Sequence, residues 1–330
     1  MQSLIKETFV KAFSDVQLED AATIALAGSG ANPCDSEISI STDSYVVQPL
    51  FFPGGDIGKL AVCGTVNDVA TSGARPLFIS VSFILEAGFP LSDVEKIVQS
   101  MSTTAKEAGV RIVTGDTKVV EAGAADGIYI NTTGVGILPA KRKALVASSI
   151  QPGDVILLSG SLGDHGMCIM SQREELSFAA DLSTDAAPLN TMIQNVIDAA
   201  PDARCFRDPT RGGLASTLNE LADAAQADIV IEEKSVPVKP AVQGACEMLG
   251  YDVFQVANEG KIVAIVPADQ AETALEAMKA SPYGADAAII GAVEQSQEGT
   301  GSFARVQLRN AFGAKRVMDT LIGEQLPRIC

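Results

Sequence analysis

The sequence predicts an α/β (α+β) protein of two domains, each a mixed β-sheet with helices on one face, followed by a flexible C-terminal tail. Three observations predict it. The 330 residues exceed what one hydrophobic core serves comfortably and fit two units of roughly 150. Apolar runs of strand length interleave with amphipathic stretches of helix length, at both hairpin-like and crossover spacings. The pattern then restarts after the polar turn Ser149-Ile150-Gln151-Pro152-Gly153-Asp154, which places domains at 1–150 and 151–313 and a tail at 314–330.

Residues 2–14 put Leu4, Ile5, Phe9 and Phe13 on one helical face. Ile38–Asp43 alternates as a strand, Val46–Phe52 continues extended, and Pro53-Gly54-Gly55-Asp56 is a turn. A helix follows from Ile57 to near Gly73. Leu77–Leu85 reads as a strand. Leu91–Gly109 is an amphipathic helix opened by Ser92, with Glu95 three residues on. Arg111–Thr114 is a buried strand running into Gly115-Asp116-Thr117, and Ile128–Gly136 alternates again. In the second half, Val155–Ser159 is a strand, Gly160–Gly166 a glycine loop and Met167–Glu175 a helix. Further helices are predicted over 214–225, 240–249 and 268–280, and strands over 229–231, 261–266 and 287–293.

Composition excludes several function classes. Lys and Arg total 24 against 41 Asp and Glu, a net charge of −17 that repels nucleic acid and anionic membrane surfaces. No apolar run approaches a bilayer span and no signal-peptide core opens the chain, so a soluble, cytoplasmic protein is expected. Six cysteines without a C-x-x-C pair suggest neither zinc nor a disulfide framework. Five of them read as small buried apolar residues. The sixth, Cys330, is the last residue.

That terminus, Leu326-Pro327-Arg328-Ile329-Cys330, places a thiol and the α-carboxylate on one residue. Burying a carboxylate costs several kcal/mol unless it is paired, so the segment reads as a mobile tail carrying a sulfur. Pro327 stiffens it, and Arg328 supplies a cation expected to offset the carboxylate near the thiol. Such a tip can be loaded in one place and unloaded in another.

Acidic groups recur at strand ends and in glycine-rich turns: Asp43, Asn67-Asp68, Asp116 before Thr117-Lys118, and Asp208 in Asp208-Pro209-Thr210-Arg211-Gly212-Gly213. Asx-turns and N-caps account for any one of them. Their number and glycine contexts point to a cleft where Mg²⁺ bridges carboxylates to nucleotide phosphates, with Lys118 and Arg211 touching phosphate directly. Gly54-Gly55-Asp56-Ile57-Gly58-Lys59 imitates a P-loop, but the spacing is wrong and Leu60 stands where Ser or Thr is required. Gly28-Ser29-Gly30 lacks a third glycine and reads as a turn. His165, the single histidine, lies in a glycine loop, and Glu259 lies at the entrance of an apolar strand.

Taken in order, Ser41–Tyr45, Phe52–Leu60, Asn67–Ala70, Thr114–Val120, Leu162–Gly166, Asp208–Gly213, Asn258–Lys261 and the terminal Pro-Arg-Ile-Cys resemble the HypE family of nickel-iron hydrogenase maturation proteins. That family is a branch of the aminoimidazole ribonucleotide synthetase, selenophosphate synthetase and thiamine-phosphate kinase superfamily. The resemblance runs from about residue 4 to 330, and the terminal motif is its most specific part. It does not extend to the family's short His-Gly-x-Gly-Gly arm, because this chain opens with Met1-Gln2-Ser3 in the predicted helix, so nothing here is assigned that arm's nucleotide contacts.

The resemblance implies a homodimer built by the amino-terminal domains, with ATP in the cleft. It implies that a HypF-type carbamoyltransferase loads Cys330, that ATP drives dehydration of the thiocarboxamide to a thiocyanate, and that cyanide passes to iron on a HypC–HypD complex. It also implies roles: Asp43, Asp68, Asp116 and Asp208 for Mg²⁺; Lys59, Asn67, Asp68, Thr117, Lys118 and Arg211 for nucleotide; Glu259 as base, with His165 as second candidate. Two other readings stay open at this level. One is a small-molecule kinase or synthetase of the same superfamily with Cys330 incidental, and the other is a non-enzymatic scaffold docking partners by its tail. A selenophosphate synthetase would need its thiol in an amino-terminal glycine-rich loop, which Asn32-Pro33-Cys34-Asp35 does not match.

Overall fold

The computed structural model describes residues 20–25, 37–139, 145–174, 182–296, 305–320, 326 and 328–330. The helix expected over 2–14, the Gly28–Gly30 turn, Cys34 and Pro327 lie outside them. The first domain contributes β1 (Ala22–Ala25), β2 (Glu37–Tyr45), the short hairpin β3 (Phe51–Phe52) and β4 (Gly55–Asp56), α1 (Ile57–Thr71), β5 (Arg75–Glu86), α2 (Leu91–Ala108), β6 (Arg111–Val120) and β7 (Ile128–Leu138). Its sheet has the order β1-β2-β7-β5-β6, antiparallel except for the parallel β5–β6 pair that α2 crosses over. The alternation of buried and half-buried positions along β7 shows one face turned to the core.

α1 is buried almost all round. It packs on β2, β7 and α2 of its own domain and on α4 and β9 of the second, so it forms the seam on which the cleft is built. Asp56 starts it, accepting from the amides of Gly58 at 2.7 Å and Lys59 at 3.1 Å. Those donors are thereby occupied, in keeping with the rejected phosphate cradle.

Two expectations are corrected here. α2 begins at Leu91 after Pro90, with no side-chain cap, so Ser92 is its second residue rather than its opening cap. β6, expected to be buried, is exposed from Arg111 to Val119 because it is the sheet's edge and pairs only with β5.

The second domain contributes β8 (Val155–Leu158), α3 (Asp164–Arg173), α4 (Asn190–Ala199), β9 (Cys205–Arg207), α5 (Gly213–Ala225), β10 (Asp228–Glu232), α6 (Pro240–Leu249), β11 (Val263–Val266), α7 (Ala271–Ala280), β12 (Ala288–Glu294), β13 (Val306–Arg309) and β14 (Lys315–Val317). The sheet order is β14-β13-β10-β12-β8-β11-β9. The helix predicted from Met167 starts three residues earlier, so His165 sits in the first turn of α3 and not in a loop. β11 is buried at every position. Val263 and Ile265 pack with α5 and α6, while Ala264 and Val266 pack with α4 and α7, so helices cover both faces of this sheet.

The segment after 313 is not wholly tail, since β14 pairs antiparallel with β13. In this structure the last residues are docked. The Val46 amide donates to an α-carboxylate oxygen of Cys330 at 3.0 Å and the Gln48 amide to the Arg328 carbonyl at 3.3 Å, so the tip lies along the chain that leaves β2. Ile329 is 3% exposed.

Candidate active site

Four stretches distant in sequence converge beside α1. β2 supplies Asp43, α1 supplies Asp68, the loop after β9 supplies Asp208 and Arg211, and the loop before β11 supplies Glu259. Asp68 accepts from the Ser41 hydroxyl at 2.8 Å, and Asp43 from the Tyr45 hydroxyl at 3.2 Å. Burial, followed by repulsion from Asp208, Asp20 and Asp43, lifts the Asp68 carboxyl well above the usual carboxylate range. Asp208 is pushed up to about 6, by burial first; Arg207 pulls the other way and Asp43 adds to the rise. Asp43 is raised as well, chiefly by desolvation. The neighbouring cation, Arg207, is committed to Asp20 at 2.7 Å and Glu220 at 3.0 Å.

Glu259 is the most constrained of these acids. Burial, then Asp208, Asp185 and Asp43, raise it well above its ordinary value, against the pull of Arg211. Its Oε1 is buried without a hydrogen-bond partner. Such an oxygen is costly unless a ligand or ion completes it. Its backbone is pinned from below, because the Glu259 amide donates to Asp185 at 3.1 Å and Asp185 is paired with Lys261 at 3.0 Å. Asn258 ties the neighbouring loops together: it accepts from the Gly163 amide at 2.7 Å and donates to the Pro209 and Val256 carbonyls at 3.0 Å. Gly260 must be glycine, since a Cβ there would sit 1.7 Å from the Asp185 carbonyl oxygen.

Cys330 enters the same cleft. Desolvation, then the charge of Glu259, push its thiol up to about 12, while Arg211 lowers it through both charge and a hydrogen bond. Arg211 therefore takes the part expected of Arg328, which instead pairs with Asp126 and donates to the Val46 carbonyl at 3.0 Å.

The structure thus gathers Asp43, Asp68, Asp208, Arg211, Glu259 and Cys330. It does not bring Asp116, Thr117 and Lys118 to them. These lie on the exposed edge strand β6, where Asp116 accepts from the Thr117 amide at 2.8 Å and pairs with Lys118 at 2.5 Å. Lys118, first through its hydrogen bond, holds Asp116 below its usual value. Lys59 lies in the first turn of α1 and donates to the Gly54 carbonyl at 3.0 Å. Asn67, expected to meet nucleotide, is spent on structure. It donates to the Ala187 carbonyl at 3.0 Å and accepts from the Leu189 amide at 2.7 Å, locking α1 to the second domain. His165 is engaged at both ring nitrogens, Nδ1 with Thr184 and Nε2 with the Ile329 carbonyl, each at 2.8 Å.

Models of the AIR synthase related protein family match both halves, the N-terminal domain at residues 18–138 and the C-terminal domain at 151–303. The carbamoyl dehydratase HypE of Azotobacter vinelandii is 50% identical, the alignment covering 100% of this chain and 94% of that protein. The Escherichia coli K12 carbamoyl dehydratase HypE is 46% identical over 100% and 96%. The chain belongs to the HypE family. A crystal structure of a HypE–HypF complex superposes with a TM-score of 0.87 at 48% identity, covering 96% of this chain and 99% of that one. A HypE structure in complex with ATP gives 0.86 at 47%, covering 100% and 96%. A thiamine monophosphate kinase bound to AMPPCP and TMP, at 18% identity and a TM-score of 0.70, shares the fold.

Among the residues that hold the HypE-like cleft together, Asp185 carried no sequence signal at all, and Arg173 and Thr184 likewise stood outside every motif. Asn258 and Lys261 lay inside the Asn258–Lys261 segment, where only Glu259 carried an expected role.

Proposed function

We propose that this chain is an ATP-dependent carbamoyl dehydratase that converts a thiocarboxamide on Cys330 into a thiocyanate and so supplies cyanide for nickel-iron hydrogenase maturation. The observation that carries this reading is the placement of the terminal thiol in the cleft that holds Arg211 and the unpartnered oxygen of Glu259. Relatives nearly half identical over the full length carry the carbamoyl dehydratase name, and one solved relative holds ATP.

The chemistry asked of the residues is specific. An amide oxygen leaves poorly; transferring a phosphoryl group from ATP to it turns the departing group into phosphate, with ADP as co-product. Loss of the two N–H protons then leaves S–C≡N. Glu259 suits the base role, because its raised pKa makes the ionised form a stronger proton acceptor and its Oε1 is uncommitted. Arg211, beside both Glu259 and Cys330, balances negative charge gathered during transfer, and Lys59 at the seam is the second cation for phosphate.

Asp43, Asp68 and Asp208 would hold Mg²⁺. The mutual repulsion that helps to raise these carboxyls is what a divalent cation relieves. Among the described residues no three acidic, Cys or His side chains stand close enough to bind a metal by themselves, so the proposal requires phosphate oxygens and waters to complete the ion's shell. When bound, that ion neutralises phosphate charge.

A homodimer accords with β6, an edge strand carrying exposed Ile112, Val113 and Val119. Asp116, Thr117 and Lys118 belong to that edge, so their contribution to nucleotide would pass through the pairing face. HypF as the carbamoyl donor follows a relative solved with it, and HypC–HypD as acceptor is proposed on family grounds. No helix of the described residues is long and apolar enough to cross a membrane, and the cytoplasm is the proposed location. The test is intact-mass analysis after incubation with the HypF-type donor, carbamoyl phosphate and ATP. Cys330 should gain one carbamoyl group and then lose one water only when ATP is present. Turnover of a free small molecule without change at Cys330 would refute the proposal.

A further inference from the structure

The tail is held by its backbone. Arg173, the last residue of α3, donates from Nη2 to the Arg328 carbonyl at 2.5 Å and from Nε to the Gln48 carbonyl at 2.6 Å, so one guanidinium clasps the tail to the segment it lies along. In the first turn of the same helix, His165 reaches the next carbonyl, that of Ile329, at 2.8 Å. A carbonyl only accepts, so Nε2 carries the proton and Nδ1 accepts from the Thr184 hydroxyl. Thr184 is fixed in turn by the Ala186 amide at 3.1 Å, and the His165 ring stands edge-on to Phe52. With the tail docked, His165 has no lone pair left with which to take a proton. Arg328 adopts a left-handed backbone, φ 53°, which turns the two carbonyls toward α3 while Cys330 continues into the cleft.

We propose that His165 and Arg173 form a latch that grips the carbonyls of Arg328 and Ile329 and sets how often Cys330 occupies the cleft, making them positioning residues rather than participants in proton transfer. This deepens the dehydratase reading above, which requires the same thiol to reach an external donor. The latch touches nothing beyond the backbone at its two contacts, so it is indifferent to what the sulfur carries. Cargo and nucleotide then add their own preference on top of a constant grip. The exposed Arg328–Asp126 pair adds little, since solvent-screened ion pairs are weak.

The test measures alkylation of Cys330 by a bulky maleimide, read on the C-terminal peptide by mass spectrometry, beside single-turnover dehydration of pre-carbamoylated protein. His165→Leu removes the donor to the Ile329 carbonyl, and Arg173→Met leaves the Arg328 carbonyl only the Gln48 amide at 3.3 Å; each should raise the labelling rate about tenfold. Dehydration should fall in the same order while loading by the donor enzyme is kept or accelerated. His165→Gln, which restores an N–H donor, should label within about threefold of the unaltered protein. Asp126→Ala should change labelling less than about twofold. Arg173 is half-exposed at a helix end, so its variant folds even if a leucine at 165 does not.

Labelling needs neither ATP nor donor and reports the latch even where the dehydratase reading fails. Unaltered labelling in both the Leu and Met variants overturns the latch. So does loss of dehydration in His165→Leu with unchanged labelling, which would return His165 to the chemistry. Equal labelling of His165→Gln and His165→Leu would reduce it to packing.

Discussion

Lys261 underpins the site from beneath, and its replacement by methionine tests how. Its Nζ lies 3.0 Å from Asp185 and 3.9 Å from Asp164, with side chains 8%, 3% and 3% exposed. Methionine keeps the apolar stem that packs on Gly160 and removes only the charge. Asp164 retains Lys239 at 3.1 Å and the Ser161 hydroxyl at 2.6 Å, so a single carboxylate is stranded. Breaking a buried pair in this way costs about 3–5 kcal/mol, and the lower end applies because the Glu259 amide still donates to Asp185. The pH dependence carries a definite sign. Burial pushes Asp185 up, but Lys261, then His165 and the Glu259 amide, outweigh it and hold the carboxyl below its ordinary value. A depressed carboxyl contributes stability above its unfolded pKa of about 3.9 and loses it as pH falls through the folded value. Without Lys261, burial wins and the pKa rises. The variant's deficit should then shrink between pH 7 and pH 5 as Asp185 takes a proton. Urea unfolding followed by circular dichroism at both pH values measures this. Adding Asp185→Asn, which preserves the acceptor for Glu259, should recover most of the loss at pH 7. A penalty under about 1 kcal/mol, equal at both pH values and unrelieved by the second change, would refute the reasoning.

Asp208→Asn should keep the fold and abolish Mg-ATP-dependent dehydration. Burial and Asp43 raise this carboxyl to about 6, so its protonated form favours the fold at low pH and that contribution is lost as pH climbs through 6; above pH 6, without Mg²⁺, the Asn variant should be the more stable in urea melts. Asp68→Asn should likewise retain structure and lose turnover; normal turnover in either variant would exclude a ligand role. Glu259→Gln should unfold at or slightly above the parent's midpoint, because a carboxyl whose charged form burial opposes is removed, yet slow the loss of water at least about 100-fold in single-turnover mass spectrometry. Val113→Lys on the exposed edge of β6 should shift light-scattering mass from dimer to monomer, and a parent protein already monomeric at micromolar concentration would dismiss the pairing edge.

The residues themselves made much of the fold legible. β2 and β7 show through alternation and α2 through helical spacing, because each of these elements turns one face to the core. α1 has little such contrast, being buried almost all round, and the turn Pro53–Asp56 marked where it starts. β9, β13 and β14 are too short to show a period, and α4 escaped notice although Met192, Ile193, Val196 and Ile197 line one face. β6 was read as buried because its composition is apolar; edge or centre is a property of the whole sheet and not of the strand.

The candidate site divides in the same way. Sequence by itself determined which groups carry chemistry: a terminal thiol, aspartates in turn contexts, Arg211 and Glu259, since residue type and local backbone suffice to mark them. Only the tertiary structure decided which of these meet. It brought Asp43, Asp68, Asp208 and Glu259 into one cleft with Glu259 buried at its base, left Asp116 on an edge, gave Asn67 to a domain seam, and replaced Arg328 by Arg211 beside the thiol. It also paired Lys261 with an aspartate 76 positions earlier in the chain. The physical reason is range. Propensity and capping act over a turn or two of chain, whereas burial, charge coupling and the pairing of a chain end with Val46 and Gln48 depend on distance in space, which no local pattern of residues records.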